Sequence, residues 1–404
     1  GMVLSIGGEV EAGANSWKRV ESMGEDQRGD RPRTLLSMKK LVVNSHTTRS
    51  DFWRKLLPVP LDKMLEVIRH NAKRHNDRGV FDEEGLLSFF CCLFGGCQFL
   101  TGTGCWATVR KGMMPPPNFG QFCSRDRFDR WLRYLSEGPE KASKRDPWRE
   151  VRWLVDGHNE NRRKTINPSW LVVVDESIWA WRGQGMPHLS HVPRKPEPLG
   201  AEIKNLCDGG VWLHAILRAA GGQSAHGTQP YCDRYKATAA CTLWLACGAG
   251  LSEMEKRPED KVGRVLVGDS WFASFDTAKA LKQELGLYFV GNIKTGHAHF
   301  PMEQMRWDLT HTERGDHTVY RLMESPLVCH AVAWSDYHYK TFICTTGTTG
   351  MGTVAKRKRH NLDGTLFWKE VKRCKVVEDY YRGCGHIDQH NQHRQGSMKL
   401  EKIW

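Results

Sequence analysis

Two aspartates in this chain follow short runs of apolar, mostly β-branched residues. Asp175 comes after Val172, Val173 and Val174 in WLVVVDESIWAWRGQG (170–185), and Asp269 comes after VLVG in VGRVLVGDSWF (262–272). Such runs read as buried strands. Each strand therefore delivers an acid to its carboxyl end, which is where sites form in open α/β sheets. If the two strands are neighbours, the carboxylates converge, and one keeps its proton unless a cation bridges the pair. Carboxylate oxygens suit Mg²⁺. Two such ions about 3.5–4 Å apart clamp the attacking and leaving oxygens of a phosphodiester. A third acid must come from elsewhere, and Asp388 in YYRGCGHIDQHNQHR (380–394), at a helix start after the glycines, is the candidate. The alternative is that each strand-end acid caps the next helix or turn. Pattern alone leaves both readings open.

The balance of charge points the same way as the acids. Lys and Arg outnumber Asp and Glu by 59 to 46, for a formal charge of +13 over 404 residues. That excess favours a polyanionic partner, most simply nucleic acid, against a plain solvated basic surface. Arg182 beside the first acid, Lys195 and Lys204 flanking it, and the run Lys356-Arg357-Lys358-Arg359 are the candidate phosphate contacts. The last of these also reads as a nuclear import signal. His386, His390 and His393 fall at i, i+4, i+7. No Cys cluster completes a zinc set with them, so they read as exposed histidines near a nucleic-acid site, with a metal face as the alternative. The 13 cysteines form no CxxC pair, and without a secretory segment at the start they read as reduced intracellular thiols. The apolar run LLSFFCCLFGGCQFL (86–100) is too short for a membrane span and reads as a buried helix.

The elements that must position the acids divide the chain. Residues 1–33, poor in large apolar groups, are expected to be disordered. Residues 34–165 read as helical. In LDKMLEVIRH (61–70) the apolar side chains recur at i, i+3, i+4, i+7. In CSRDRFDRWLRYL (123–135), Ser124 is a candidate N-cap, and Phe128, Trp131, Leu132 and Leu135 form one face. Asp146 and Pro147 suit the start of a further helix. From 166 to 300 strands (170–175, 211–219, 262–272, 288–293) alternate with helices (235–251, 275–286), which predicts an α/β sheet with parallel pairing. Residues 301–372 read as a separate inserted subdomain of short strands, and 373–404 as the last part of the core.

Several blocks in order resemble the piggyBac transposase family. DESIWAWRGQ (175–184) resembles its first-acid segment, VPRKPEPLGAEIKNLCDGG (192–210) its Pro-x-Lys-Pro block, and GDSWFASFDTAKALKQELGLYFVGNIKTG (268–296) its second-acid segment. YYRGCGHIDQHN (380–391) is similar to its third-acid segment. The resemblance implies an RNase H-like core with a helical dimerisation and DNA-binding domain in front and an insertion before the third acid. It also implies a metal triad of Asp175, Asp269 and Asp388 binding Mg²⁺ (Mn²⁺ as a substitute) in a two-metal site. The implied activity is cut-and-paste transposition: strand nicking, hairpin formation at transposon ends and joining at a TTAA target, by a homodimer on double-stranded DNA in the nucleus. The sequence departs from the family at Asn391, where a fourth acid usually stands and whose amide oxygen is still a candidate metal ligand though it brings no charge, and at Ser270-Trp271 in place of Asn-Phe. It ends 16 residues after Asp388, before the family's Cys/His-rich zinc module. These departures keep a second expectation open, a transposase-derived DNA-binding protein that does not cut.

Overall fold

A computed structural model describes residues 4–398 except 6–8, 21–25, 30, 40–46, 100–101, 109–116, 140–147, 182–188, 194, 196, 218–228, 295, 324 and 348–349. Its first half is helical: α1 (Arg49–Leu56), α2 (Leu61–Arg74), α3 (Glu83–Phe99), α4 (Arg125–Ser136) and α5 (Arg149–Thr165). The amphipathic spacing does what it predicts, since Leu61, Met64, Leu65 and Ile68 of α2 are all buried. The Ser124 hydroxyl caps α4 by accepting from the Arg127 amide at 3.3 Å. On α4 the buried face is Phe128, Trp131 and Tyr134, with Leu132 and Leu135 only packed against it. The apolar run after residue 86 is a helix, α3, with Leu86, Phe89 and Cys92 buried. Among the described residues no helix is long and apolar enough to cross a membrane. The expected cap at Asp146 and Pro147 lies outside the described residues.

The second half is built on one large sheet. Its inner strands are β1 (Leu171–Ala180), β2 (Leu199–Asp208), β3 (Val211–Leu217), β4 (Val265–Gly268) and β5 (Tyr288–Asn292), in the spatial order β3-β2-β1-β4-β5. Two helices cover one face, α6 (Ala237–Gly248) and α7 (Phe275–Leu285), while α5 and α8 (Lys375–Gln392) lie on the other. Alternate residues of β1 and β4 feed the two cores. Val172, Val174 and Leu266 pack toward α6 and α7, and Leu171, Val173, Val265 and Val267 toward α8. Burial on both faces is why these strands are unbroken apolar runs. Gly286, at φ 71°, closes α7 in the left-handed region as expected of a terminal glycine.

Among the described residues only β1–β4 and β4–β5 pair in parallel, and the sheet is otherwise antiparallel. The expectation of a parallel sheet fails at β2, a ten-residue strand absent from the sequence reading. Its Glu202, Lys204 and Asn205 interrupt the apolar pattern. The turn into β3 is only Gly209-Gly210, both at positive φ (53° and 80°), too short for anything but a hairpin. Residues 301–372 are not a separate body either. Strands β6 (His317–Leu322), β7 (His330–Trp334) and β8 (Lys340–Cys344) extend the main sheet through β8 against β5. Only β9 (Ala355–His360) and β10 (Leu366–Val371) stand apart, as a two-stranded ribbon. The N-terminal stretch corrects the expectation of disorder. Glu9–Ala12 and Asn15–Arg19 form a hairpin that adds to β6. Trp17 is 0% exposed there and donates its indole N–H to the His299 carbonyl at 3.0 Å, a burial that one aromatic anchors without an apolar-rich sequence.

Two histidines, His158 on α5 and His214 on β3, are held neutral. His158 is pushed down to about 3, by burial first and then by Arg162, and His214 to about 4 by burial and Arg163. Both folded values lie below the ordinary imidazole, so the unfolded chain takes up more protons at mildly acid pH. Stability from this pair is complete above about pH 6.5 and is lost as pH falls toward 4. Measured against His158→Gln, the wild-type urea midpoint should be unchanged from pH 8 to 7 and fall between pH 6.5 and 4.5. A difference between the two proteins that does not vary with pH would refute the assignment.

Candidate metal centre

The parallel register of β1 and β4 matches Val174 with Gly268. The next residues on each strand, Asp175 and Asp269, therefore arrive side by side. One carboxylate oxygen from each of Asp175, Glu176 and Asp269 lies within 4.8 Å of the others. The sequence places Asp175 at the end of its strand, but β1 runs on to Ala180 because its second half pairs with β2. Asp175 is level with the end of β4, not of its own strand. Glu176 was not among the expected site residues. The signal for it was its place beside Asp175, a buried acid that needs a buried base, and the register sets Glu176 opposite Lys204.

Each carboxylate is held by its own turn. The Glu176 amide donates to Asp175 Oδ1 at 2.7 Å, and the Asn205 side chain donates to the Asp175 carbonyl at 3.2 Å. The Trp271 amide donates to Asp269 Oδ1 at 2.9 Å. Glu176, 7% exposed, faces Lys204 Nζ at 3.6 Å and Lys195 Nζ at 3.8 Å. Burial raises the Asp175 carboxyl to about 8, with Glu176 and Asp269 adding to the rise and Lys195 opposing it. Asp269 is raised as well, by burial and then Glu176, against the Trp271 hydrogen bond and Lys204. The donor set is all carboxylate oxygen, and its electrostatics favour a proton or a cation. Both features fit a hard divalent ion.

Asp388 lies toward the C-terminal end of α8, not at a helix start, and it is exposed and outside the three-acid group. The helix nevertheless runs over the same face of β1. A Cβ on Gly383 would meet Val173 Cγ2 at 3.0 Å and Val267 Cγ2 at 3.1 Å, and Ser177 Oγ donates to Asn391 Oδ1 at 2.9 Å. Val173, Asp175 and Ser177 share that face by strand alternation, and Asp388 falls between the two anchors along the helix. The Cys384 thiol is raised to about 11, by burial first, and then by Asp388 and Asp175 among its neighbours. The Asn391 oxygen is engaged by Ser177 and, at 3.4 Å, by Arg394. The histidines do not gather as a metal face. His386 Nδ1 accepts from the Gly209 amide, His390 Nδ1 contacts the Gly210 carbonyl, and the His390 ring stacks on Trp212 at 4.3 Å. They clasp α8 to the β2–β3 turn.

Of the expected phosphate contacts, Lys204 is turned inward. It is 3% exposed, 2.8 Å from Glu202, 3.6 Å from Glu176 and 3.8 Å from the Trp271 ring centroid. An ammonium so enclosed serves the acids around it rather than a solvent-side phosphate. Lys195 is half-buried and also bonds the Glu176 carbonyl at 3.3 Å. Arg182 lies outside the described residues. Lys356, Arg357, Lys358 and Arg359 lie within strand β9. Beyond Trp271 opens a cleft of about 520 Å³ whose lining includes Lys236, Lys294, His297 and His299.

A family model described as Transposase IS4 matches residues 50–401. The chain belongs to the IS4 transposase family. Among solved structures, this transposase-family chain is similar to one in the cryo-EM structure of the piggyBac transposase synaptic complex with hairpin DNA. The identity is 18% and the TM-score 0.58, over 88% of this chain and 74% of that one. At that identity the likeness is one of fold: a mixed α/β architecture around a large, mostly antiparallel sheet. No curated protein matches it.

Two outcomes follow from the packing and charge of this family member. With its folded carboxyl raised, Asp175 binds a proton that the unfolded chain releases between about pH 4 and 8, so its contribution turns unfavourable as pH rises. Without divalent ions, Asp175→Asn should be the more stable protein at pH 8, by about 1 kcal/mol more than at pH 5. A pH-independent difference in denaturant unfolding would contradict this. Gly383→Ala should destabilise by about 1 kcal/mol or more, overpacking against two strand valines that cannot yield. Gly385→Ala, where a Cβ meets nothing within 4 Å, should instead gain up to about 1 kcal/mol from helix propensity. Equal melting shifts for the two variants would show that α8 does not bear on the sheet at Gly383.

Proposed function

We propose that this transposase-family chain is a piggyBac-like DNA transposase that cuts and joins DNA strands at Asp175, Asp269 and Asp388 with a divalent ion, Mg²⁺ by preference. The observation that carries the reading is the meeting of Asp175 and Asp269 across the β1–β4 pair. The order β3-β2-β1-β4-β5, an antiparallel meander followed by two parallel strands, supports an RNase H-like core. In the same reading α1–α5 form the dimerisation and DNA-binding domain. Strands β6–β8 with the β9–β10 ribbon form the insertion. The partner is double-stranded DNA with a TTAA-like target, bound by a homodimer in the nucleus. The similar piggyBac structure is a synaptic complex with hairpin DNA, and the positive charge of this chain suits such a partner.

Divalent ions bound there would supply the positive charge that lowers the pKa of an attacking water and neutralises the phosphate as it is attacked. The protein's own part is positional. The Trp271 and Glu176 amides fix one oxygen each of Asp269 and Asp175. Lys195 and Lys204 offset Glu176, so that Asp175 and Asp269 remain the pair free to take the cation. In this reading Asp388, which lies outside the pair on α8, is the third ligand, and no side chain serves as a covalent nucleophile. A second reading has its own observation. Asp388 stands outside the acid group and Asn391 replaces a fourth acid, which favours a relative that binds DNA and does not cut it.

Incubation of the full chain with transposon-end duplexes and Mg²⁺ should give nicked and hairpin products, resolved on denaturing gels. Asp269→Ala should lower the rate by at least about a thousandfold while duplex binding persists, since removal of a ligand leaves the phosphate contacts intact. Binding with no cleavage at any Mg²⁺ or Mn²⁺ concentration would select the second reading.

A further inference from the structure

The β9–β10 ribbon carries exposed groups that the chemistry of the carboxylates does not use. Its register pairs Lys356 with Glu370, Lys358 with Trp368 and His360 with Leu366, and directly opposed residues share a face. All six are exposed, with Trp368 at 59% and Leu366 at 44%. The other face begins with buried Ala355 and Val371 and is anchored to the body by Arg357, 3.4 Å from Asp336. At its base the ribbon therefore has a covered side and an open one, while farther out Phe367 and Lys369 are exposed on the other face too. Its tip is well made. The Asn361 amide donates to the Thr365 carbonyl at 2.8 Å, Asp363 Oδ1 takes the Thr365 amide at 2.8 Å, and Gly364 turns at φ 82°. That tip presents Leu362 fully exposed.

Leu362, Leu366 and Trp368 together put exposed apolar surface among lysines on the tip and one face of the ribbon, and such a polar-rimmed apolar surface marks a binding site. The ribbon holds five cations (Lys356, Arg357, Lys358, Arg359 and Lys369) against two carboxylates (Asp363 and Glu370). A second copy of the same surface would be repelled by that charge, whereas a polyanion is attracted. A groove of DNA admits a two-stranded ribbon, and apolar wedges flanked by cations are a way of entering it.

We infer that the ribbon is a double-stranded DNA-binding arm, its outer face laid into a groove with Leu362 leading, Lys356 and Lys358 on phosphates, and Trp368 against the bases or sugars. The inference rests on the transposase reading but concerns binding, not cutting, and this separates the tests. The probe is a fluorescein-labelled duplex of scrambled sequence, titrated with the full chain at several salt concentrations and followed by anisotropy. The double variant Lys356→Ala/Lys358→Ala should reduce the slope of log affinity against log salt by about 2. Trp368→Ala should weaken binding by about fivefold or more at unchanged slope, and Trp368→Phe should regain part of it. These side chains are exposed, so melting temperatures should hold, and Lys358→Glu gives a second route to the same loss.

Wild-type affinity in all the ribbon variants, with wild-type protein still binding and cleaving, overturns the arm and leaves the transposase reading intact. Loss of self-association in sedimentation with DNA affinity unchanged assigns the surface to a second copy and also overturns it. Failure of the wild-type chain to bind duplex DNA at all removes both.

Discussion

Two carboxylates side by side in a half-buried place repel each other, and the pairing of β1 with β4 forces that arrangement. For unit charges roughly 4 Å apart the repulsion is on the order of 4 kcal/mol at an effective dielectric near 20. Gly268 helps to enforce the register, since a Cβ there would meet Phe272 Cβ at 2.9 Å and the Phe289 ring at 3.3 Å. The strand can end against its neighbours only if that residue has no side chain. The surroundings then answer the charge. Lys204 lies between Glu176 and the Trp271 ring, Lys195 sits on Glu176, and backbone amides take one oxygen of each aspartate. The proton that Asp175 retains marks how far these partners fall short of neutralising the site.

The last helix is the second support. Gly383 lets α8 lie on Val173 and Val267, and His386 and His390 hold it to the Gly209-Gly210 turn. The same two glycines make the tight hairpin that brings β2 back along β1, and so place Lys204 and Asn205 against the acids. One turn thus sets both the base under the site and the helix over it. The ribbon, by contrast, is fastened near its base by buried Ala355 and Val371 and by the Arg357–Asp336 pair, and its outer face is exposed.

Local pattern revealed much of the frame. The strands at 171–174 and 265–268, the helix ended by Gly286 and the amphipathic α2 were readable because burial and capping leave periodic marks. The strand Leu199–Asp208 was not, because its charged residues are buried by pairing across the sheet, which leaves no hydrophobic run. The N-terminal hairpin was missed for a related reason: it is held by Trp17 and by edge pairing with β6, contacts nearly 300 residues away along the chain. Glu176 was present in the motif but unassigned, since its partner Lys204 comes beside it only through the pairing of β1 with β2.

The order of residues settles that two apolar strands end in acids, that the chain is strongly basic, and that its motifs run in the order of a transposase. Those are local properties, set by side-chain chemistry and period. Folding alone decides that Asp175 and Asp269 become neighbours, that Lys204 turns inward instead of toward a phosphate, that Asp388 falls near the end of a helix and not at its start, and that Lys356–Arg359 stand on a ribbon with Trp368. Each of these depends on register and on packing between distant segments. A one-residue slip in register would send the same side chains to the other face.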